Sequence, residues 1–178
     1  MTETVNLASH PLTRWTGSLG LPDFSRIGDG DFGPVFDTAL AAHQIQIEAI
    51  AGNSAAPTIE NTLTALELSG DALDRVSAIF WCRAGAHTNE AIQALERDIS
   101  PKMARHYSAI SMNEKLFARI DDLYRRREEL KLDPETLRVL EKSWKGFVKS
   151  GAKLDAAGKR RLAAINEEIA SLGARFGQ

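Results

Sequence analysis

Apolar side chains recur every three or four residues along most of this chain, and this spacing constrains its fold more than any other feature. The spacing places apolar groups on one face of an α-helix, whereas a half-buried strand would be apolar at alternate residues. No segment bounded by turn residues shows that alternation. We therefore predict an all-α fold of about seven helices arranged in antiparallel hairpins.

Short polar side chains at the start of each stripe predict where the helices begin. Their oxygens accept hydrogen bonds from the amides of a first turn, which have no partner within the helix. A proline at the first helical position, as in Asp133-Pro134, strengthens such a prediction. The predicted N-caps are Thr58, Thr88, Asn113, Asp133 and Asp155.

Pro101 lies inside the long stripe that starts near Ile92. A proline removes one backbone donor and clashes with the preceding turn. We therefore predict a kink or a break in this helix near Arg97–Ser100.

The first 31 residues carry no periodic stripe, because prolines and glycines interrupt them. Trp15, Leu19, Phe24 and Ile27 make this stretch too apolar for a solvated tail. We predict an extended arm over residues 1–31, packed on a helical domain that covers residues 32–178.

The composition excludes several classes of protein. The formal net charge of −2 argues against a domain held to nucleic acid or to anionic lipid by a bulk positive field. A single cysteine, Cys82, excludes an internal disulfide and a four-cysteine metal site. Residues 1–30 contain no apolar run as long as that of a signal peptide, and no stretch approaches the roughly 20 apolar residues of a membrane span. We expect a soluble, cytoplasmic protein with neither nucleic acid nor membrane as a partner.

The four histidines do not have the spacing of a zinc helix, which needs two of them one turn apart. His43 and His106 fall on apolar stripes, where a hydrogen-bonded core histidine is the simpler interpretation. Cys82 has a neighbouring cation in Arg83, which can activate a thiol, but His87 does not share its helix face. We interpret Cys82 as a buried structural cysteine.

An aspartate pair and two basic clusters have simple structural interpretations. Asp29 and Asp31 resemble the start of a calcium loop, but no glutamate follows at the twelfth position, so we interpret them as a turn before a helix. The basic clusters at 125–127 and 159–161 are followed by glutamates and are interpreted as solvated charged faces rather than a nucleic-acid strip. The sequence therefore predicts no catalytic residue, no cofactor-binding residue and no metal ligand in this chain.

The last helical stripe ends almost where the chain ends, without the usual stop signals. We expect this chain to be truncated from a longer protein and its last apolar face to have lost a partner. A free chain would bury that face against itself or against a second copy. The face consists of Leu162, Ile165, Ile169, Leu172 and Phe176.

Three segments carry a family resemblance: HPLTRWTGSLGLPDFSRI, PTIENTLTALELSGDALDRV and AAINEEIASLGARFGQ. They resemble the N-terminal region of the zinc oligopeptidases related to thimet oligopeptidase. The first segment is more similar to the bacterial peptidyl-dipeptidases (dipeptidyl carboxypeptidases) than to oligopeptidase A. The resemblance extends over essentially the whole chain.

This resemblance implies a much longer, mostly helical parent protein with a deep channel that admits short peptides. It implies a zinc ion held by a His-Glu-x-x-His helix far downstream, in a catalytic domain that would be the partner of this chain. No catalytic or metal-binding position of the family falls on a residue of this sequence. Residues 1–178 would be outer scaffold and part of the channel wall, without activity of their own.

The sequence leaves three alternatives to a peptidyl-dipeptidase parent open. The parent can be an endopeptidase of the oligopeptidase type, or the chain can be a stand-alone, non-catalytic helical interaction module. A helical domain that binds nucleic acid through Lys142, Lys145 and Lys149 is the third alternative.

Overall fold

A computed structural model describes residues 5–177, and every regular element within that range is helical. The predicted all-α fold is confirmed. None of the described helices is long and apolar enough to cross a membrane. The helices are α1 Phe32–Ala51, α2 Ala65–Glu67, α3 Asp71–Ala86, α4 Glu90–Ser111, α5 Glu114–Arg125, α6 Pro134–Lys149 and α7 Ala156–Phe176. Shorter elements are 3₁₀ turns at Ser18–Gly20, Phe24–Arg26 and Asp29–Asp31, and a π-helical segment at Ile59–Thr64 that leads into α2.

Four of the predicted N-caps are confirmed by side-chain oxygens that accept hydrogen bonds from first-turn amides. Thr58 Oγ1 accepts from the Asn61 amide at 3.1 Å, and Asn61 Oδ1 accepts in return from the Thr58 amide at 2.9 Å. The other three caps accept four such bonds: Asn113 from Leu116, Asp133 from Glu135 and Thr136, and Asp155 from Gly158.

The predicted cap at Thr88 is wrong, since Asn89 occupies that position. Its Oδ1 accepts from the Ile92 amide at 2.9 Å, while its Nδ2 donates to Asp29 Oδ2 at 2.7 Å. A side-chain amide can accept and donate with separate atoms, so Asn89 caps α4 and binds the turn before α1 at once.

Of the kink or break predicted near Pro101, the break is wrong, because α4 runs without interruption from Glu90 to Ser111; the kink stays a prediction. Ile99 and Met103, on either side of the proline, both pack into the same apolar cluster. Burial of such side chains offsets the roughly 3 kcal/mol that a proline costs inside a helix.

The chain packs as two compact units. Unit 1 contains the described residues as far as Ile45, Gly70–Met103 and the described residues from Ala170 onward; unit 2 contains Gln46–Ser69 and Ala104–Ile169. The predicted division into an arm and a helical domain at residue 31 stays a prediction.

The core of unit 1 is built around three phenylalanines. Phe80 of α3 meets Phe32 and Phe36 of α1 edge to face, with ring centroids 5.2 and 5.4 Å apart. Such geometry adds to the burial energy because ring edges and faces carry opposite partial charge. Leu12 and Ile27, from the segment before α1, are buried in the same cluster.

His43 is packed against the backbone at Gly70 in unit 1. The side chain is only 7% exposed, and a Cβ placed on Gly70 would lie 2.9 Å from ring atoms of His43. Gly70 also has φ +81°, in the left-handed region that favours glycine. Burial lowers the pKa of His43, and the nearby Asp74 opposes this only in part. The interpretation of His43 as a core histidine is confirmed.

The core of unit 2 is formed largely where α5 packs on α6. Leu116, Ile120 and Leu123 of α5 and Leu140 of α6 are fully buried. These are the positions that the apolar spacing predicts, since they repeat at three and four residues along each helix.

Arg119 holds the segment that follows α1 against α5. Its guanidinium, in a residue that is 7% exposed, donates to the carbonyls of Asn53 and Ala55 at 2.8 and 3.0 Å. It also donates to Asn61 Oδ1 at 2.8 Å and to Thr62 Oγ1 at 3.2 Å. These four acceptors are neutral, so their dipoles take the place of water around a buried charge.

Two stacked rings, each with a cation over it, join α5, α6 and the turns that follow them. The rings of Tyr124 and Trp144 lie 4.1 Å apart and 8° from parallel. Arg127 covers Tyr124 at 4.4 Å and Lys153 covers Trp144 at 4.8 Å, both in cation–π geometry. Trp144 Nε1 donates to Asp121 Oδ1 at 2.8 Å, which fixes the ring in place.

We predict that His43 makes the chain less stable in mild acid. The unfolded state takes up a proton near pH 6.5, whereas the lowered pKa delays protonation in the fold, so the stability present above pH 6.5 is lost as pH falls below it. Urea unfolding between pH 8 and 5 should show this loss, with a slope of up to about 1.4 kcal/mol per pH unit. His43→Gln should flatten the slope, whereas the exposed His87 serves as control in His87→Gln. Identical pH slopes for wild type and His43→Gln would contradict the assignment.

We predict that Arg119→Met lowers the free energy of unfolding by about 2–4 kcal/mol, because it removes four hydrogen bonds from a charged donor, one of them to the buried Thr62. Arg119→Lys should recover only part of this loss, since an ammonium cannot reproduce the fork of the guanidinium. The matched control is Arg125→Met, whose side chain is 78% exposed and whose loss should cost about 0.5 kcal/mol or less. Equal unfolding midpoints in urea for the two methionine variants would show that the Arg119 network does not stabilise the fold.

Candidate functional site

The histidines do not converge on a metal site. His43 is buried in unit 1, whereas the half-buried His106 of α4 packs its ring on that of Tyr107 at 5.5 Å. His10 Nδ1 accepts from the Leu12 amide at 3.2 Å, and the backbone of His87 ends α3. Among residues 5–177, no group of three or more His, Cys, Asp or Glu side chains could hold a metal ion.

The prediction that Cys82 is buried is wrong, because the structure leaves it exposed. Phe80 and Val76 face the core from α3, and Cys82 lies about 200° around the helix from Phe80, on the other side. The apolar residues around it in the sequence had suggested burial, but only the face of the helix decides it.

Asp29 is part of a turn, as predicted, and not of a calcium loop. Its Oδ1 accepts from Arg83 Nη1 at 2.8 Å, while the Gly28 amide donates to Asp31 Oδ2 at 2.7 Å. The hydrogen bond from Asn89, followed by the hydrogen bond and the charge of Arg83, keeps the pKa of Asp29 below its ordinary value. This carboxylate therefore ties the start of α1 to α3 and α4 within unit 1.

The basic clusters are largely compensated by acids. Arg125 and Arg126 pair one turn back with Asp121 and Asp122. Lys159 donates to Glu114 Oε1 at 2.9 Å and thereby lowers the pKa of that carboxyl. Such pairs are typical of a solvated charged face.

The apolar stripe of α7 ends in side chains that face solvent. The exposed fractions are 38% for Ile165, 62% for Ile169, 53% for Leu172 and 95% for Phe176. Leu162, the first residue of the stripe, is half-buried. An exposed run of large apolar side chains along one helix is typical of a surface that another polypeptide covers.

Unit 2 contains a cavity of about 650 Å³ lined by α2, α4, α6 and α7. Ile110 and Phe147 form the most buried part of its apolar lining, together with Leu66 and Leu162. Glu67 of α2 and Lys149 of α6 bring opposite charges to the same cavity. This cavity was not predicted from the sequence, because its lining comes from four helices and extends from Leu66 to Asn166.

Small residues keep the cavity open. Ala104, Ser108 and Ser111 line it from α4, and Ser143, Gly146 and the C-cap Ser150 line it from α6 and its end. Their spacings of three and four residues were present in the sequence as a signal, since such positions share a helix face. A Cβ placed on Gly146 would meet no atom within 4 Å.

No protein-family model matches this chain. Curated relatives do: the chain is 40% identical over 157 residues to the dipeptidyl carboxypeptidase of Escherichia coli strain K12. The identity is also 40% over 157 residues to the dipeptidyl carboxypeptidase of Salmonella typhimurium strain LT2. The predicted resemblance to the bacterial peptidyl-dipeptidases is confirmed.

The match to these dipeptidyl carboxypeptidases covers 88% of this chain but only 23% of each relative. The chain thus spans about a quarter of the length of the curated relatives it matches.

Proposed function

We propose that this chain is the N-terminal helical region of a peptidyl-dipeptidase, which releases dipeptides from the carboxyl ends of short peptides. Its helices would serve as scaffold and as part of the wall of the substrate channel. The observation that carries the proposal is the 40% identity over 157 residues to proteins named dipeptidyl carboxypeptidases.

A scaffold role agrees with how the polar groups of the chain are used. The buried guanidinium of Arg119 donates its hydrogen bonds to the segment between α1 and α2. The carboxylate of Asp29 accepts hydrogen bonds from Arg83 and Asn89. Residues 5–177 also do not fit the zinc ion that the resemblance implies, because His43 is packed against Gly70 and no three His, Cys, Asp or Glu side chains within that range could hold a metal together. We therefore assign the zinc, and the chemistry of peptide cleavage, to the downstream part of the parent.

The exposed side chains of α7 are proposed to contact that downstream part. Most of the length of the relatives has no counterpart in this chain. A parent of that length would contain a large polypeptide that can cover the exposed side chains of α7. Each of Ile169 and Leu172 would contribute about 1.5–3 kcal/mol if it became fully buried. The proposed occupant is therefore the catalytic domain of the same protein.

The first test is the coding sequence after the codon for Gln178. We expect the reading frame to continue and to encode a His-Glu-x-x-His helix a few hundred residues further on. A stop codon at that point in the natural gene would refute the proposed parent.

We predict that the purified 178-residue chain releases no dipeptide from short peptides and binds less than one zinc per chain. The reason is that its described histidines and carboxylates do not converge on a metal. Mass spectrometry of peptide digests and elemental analysis after dialysis check the two statements. One tightly held zinc per chain, or cleavage that chelators abolish, would contradict the assignment of catalysis to the downstream part.

We predict that the free chain self-associates through α7, because the proposed covering domain is absent. Sedimentation equilibrium should show a concentration-dependent mass for the wild type and a monomer for the double variant Ile169→Glu, Leu172→Glu. The control is Leu68→Glu, an equally apolar residue that is 74% exposed but does not lie on α7. Association that persists in the α7 variant would place the contact elsewhere.

A further inference from the structure

We propose that the cavity of unit 2 binds a small zwitterion with an apolar body, best matched by a peptide of two or three residues with both ends free. This site goes beyond the proposed function, because none of its residues is assigned to catalysis. It stands on the geometry of the cavity whether or not the parent is a peptidase.

The size of the cavity sets the size of the ligand. Its volume of about 650 Å³ lies within the roughly 300–1,000 Å³ of small-molecule sites. The lining combines an apolar part around Phe147 and Ile110 with several hydroxyl groups, which is the usual composition of such sites.

The charged side chains of the cavity indicate which charges the two ends of the ligand carry. Within residues 5–177, neither Glu67 nor Lys149 forms an ion pair, so each is available to a ligand. Ser143 donates to Glu67 Oε1 at 3.3 Å, which places that carboxylate beside Ser143 on α6. A ligand amine would bind at Glu67 and a ligand carboxylate at Lys149.

The distance between these two ends sets the length of the ligand. Ser143 and Lys149 are six positions apart on α6, which corresponds to about 9 Å along the helix axis. An extended peptide of three residues spans about 10 Å. The flexible stem of Lys149 can shorten the gap for a dipeptide.

The polar lining suits peptide groups between those ends. Asn166 Nδ2 donates to Ser108 Oγ at 3.1 Å, and Ser111 Oγ donates to the Ser108 carbonyl at 3.3 Å. Amide and hydroxyl groups of this kind retain further donors and acceptors, which a peptide backbone can use.

Gly146 supplies an independent indication of an occupant. It lies in the interior of α6, where glycine is less favourable than alanine, and its backbone is helical. No neighbouring atom requires the missing Cβ, since none lies within 4 Å of that position. The space that Gly146 leaves open belongs to the cavity and is available to a ligand.

The experiment is a titration of the whole 178-residue chain with the tripeptide Ala-Leu-Ala, followed by calorimetry and by amide chemical shifts. A ligand of this size in a partly open site is expected to bind with a Kd of about 0.1–1 mM. Acetylation of the amine, amidation of the carboxylate, and replacement of the central leucine by serine should each weaken binding about threefold or more. Glu67→Gln and Lys149→Gln should reproduce the effects of acetylation and amidation respectively.

The decisive pair of variants is Gly146→Gln and Gly173→Gln. Gly173 also lies in a helix with no atom near a Cβ position, but it does not line the cavity. Both changes replace glycine by a better helix former, so both should leave the thermal midpoint unchanged or higher. Only Gly146→Gln should weaken Ala-Leu-Ala binding, by about tenfold, because its side chain enters the cavity.

Three results would overturn the proposal. One is the absence of any heat or shift change with Ala-Leu-Ala up to about 10 mM, which would also be the outcome if a partner helix is the true occupant. Another is equal binding of the free and the blocked peptides. The third is unchanged binding by a folded Gly146→Gln variant, which would place the site elsewhere on the chain.

Discussion

The hydrogen bonds of the buried Arg119 guanidinium are the interactions on which the fold of unit 2 depends. A charge inside a protein needs polar partners around it, and here backbone carbonyls and two side chains of the 53–62 segment supply them. That segment lacks a stripe of its own long enough to hold it, so the arginine determines its path. Its path in turn positions Asn61, whose side chain caps the π-helical segment that leads into α2.

The cavity follows from the same arrangement. Leu66 and Glu67 of α2 stand at its edge because the preceding segment is bound to α5 through Arg119. From the other side, the stack of Tyr124 and Trp144 fixes α6 on α5, and α6 contributes Ser143, Gly146 and Phe147 to the lining. A buried guanidinium and an aromatic stack, both on α5, thus position the two elements that line the cavity.

The sequence was a good guide wherever structure depends on residues close together in the chain. Asp133 and Pro134 begin a helix because the proline has no amide to leave unpaired and the aspartate accepts from the amides just beyond it. It was a poor guide at Pro101 and Cys82, where the outcome depends on what packs against the helix. In one case, Ile99 and Met103 pack into the core on either side of the proline and α4 continues through it. In the other, the thiol lies on the exposed face of its helix. The choice between Thr88 and Asn89 as cap was likewise decided by a remote group, the carboxylate of Asp29.

By itself, then, the sequence determined the helical fold class, most helix starts and the resemblance to the peptidyl-dipeptidases. These rest on hydrogen bonds and periodicities that span a few residues, and on the order of residues itself. Tertiary structure alone decided that His43 lies against Gly70, that Arg119 is buried with carbonyl and side-chain oxygens of the 53–62 segment as its acceptors, and that a cavity opens at Gly146. Arg119 and its acceptors are separated by 57 to 66 positions, and the lining of the cavity extends from Leu66 to Asn166. Contacts across such separations follow from how helices pack, which no local pattern specifies.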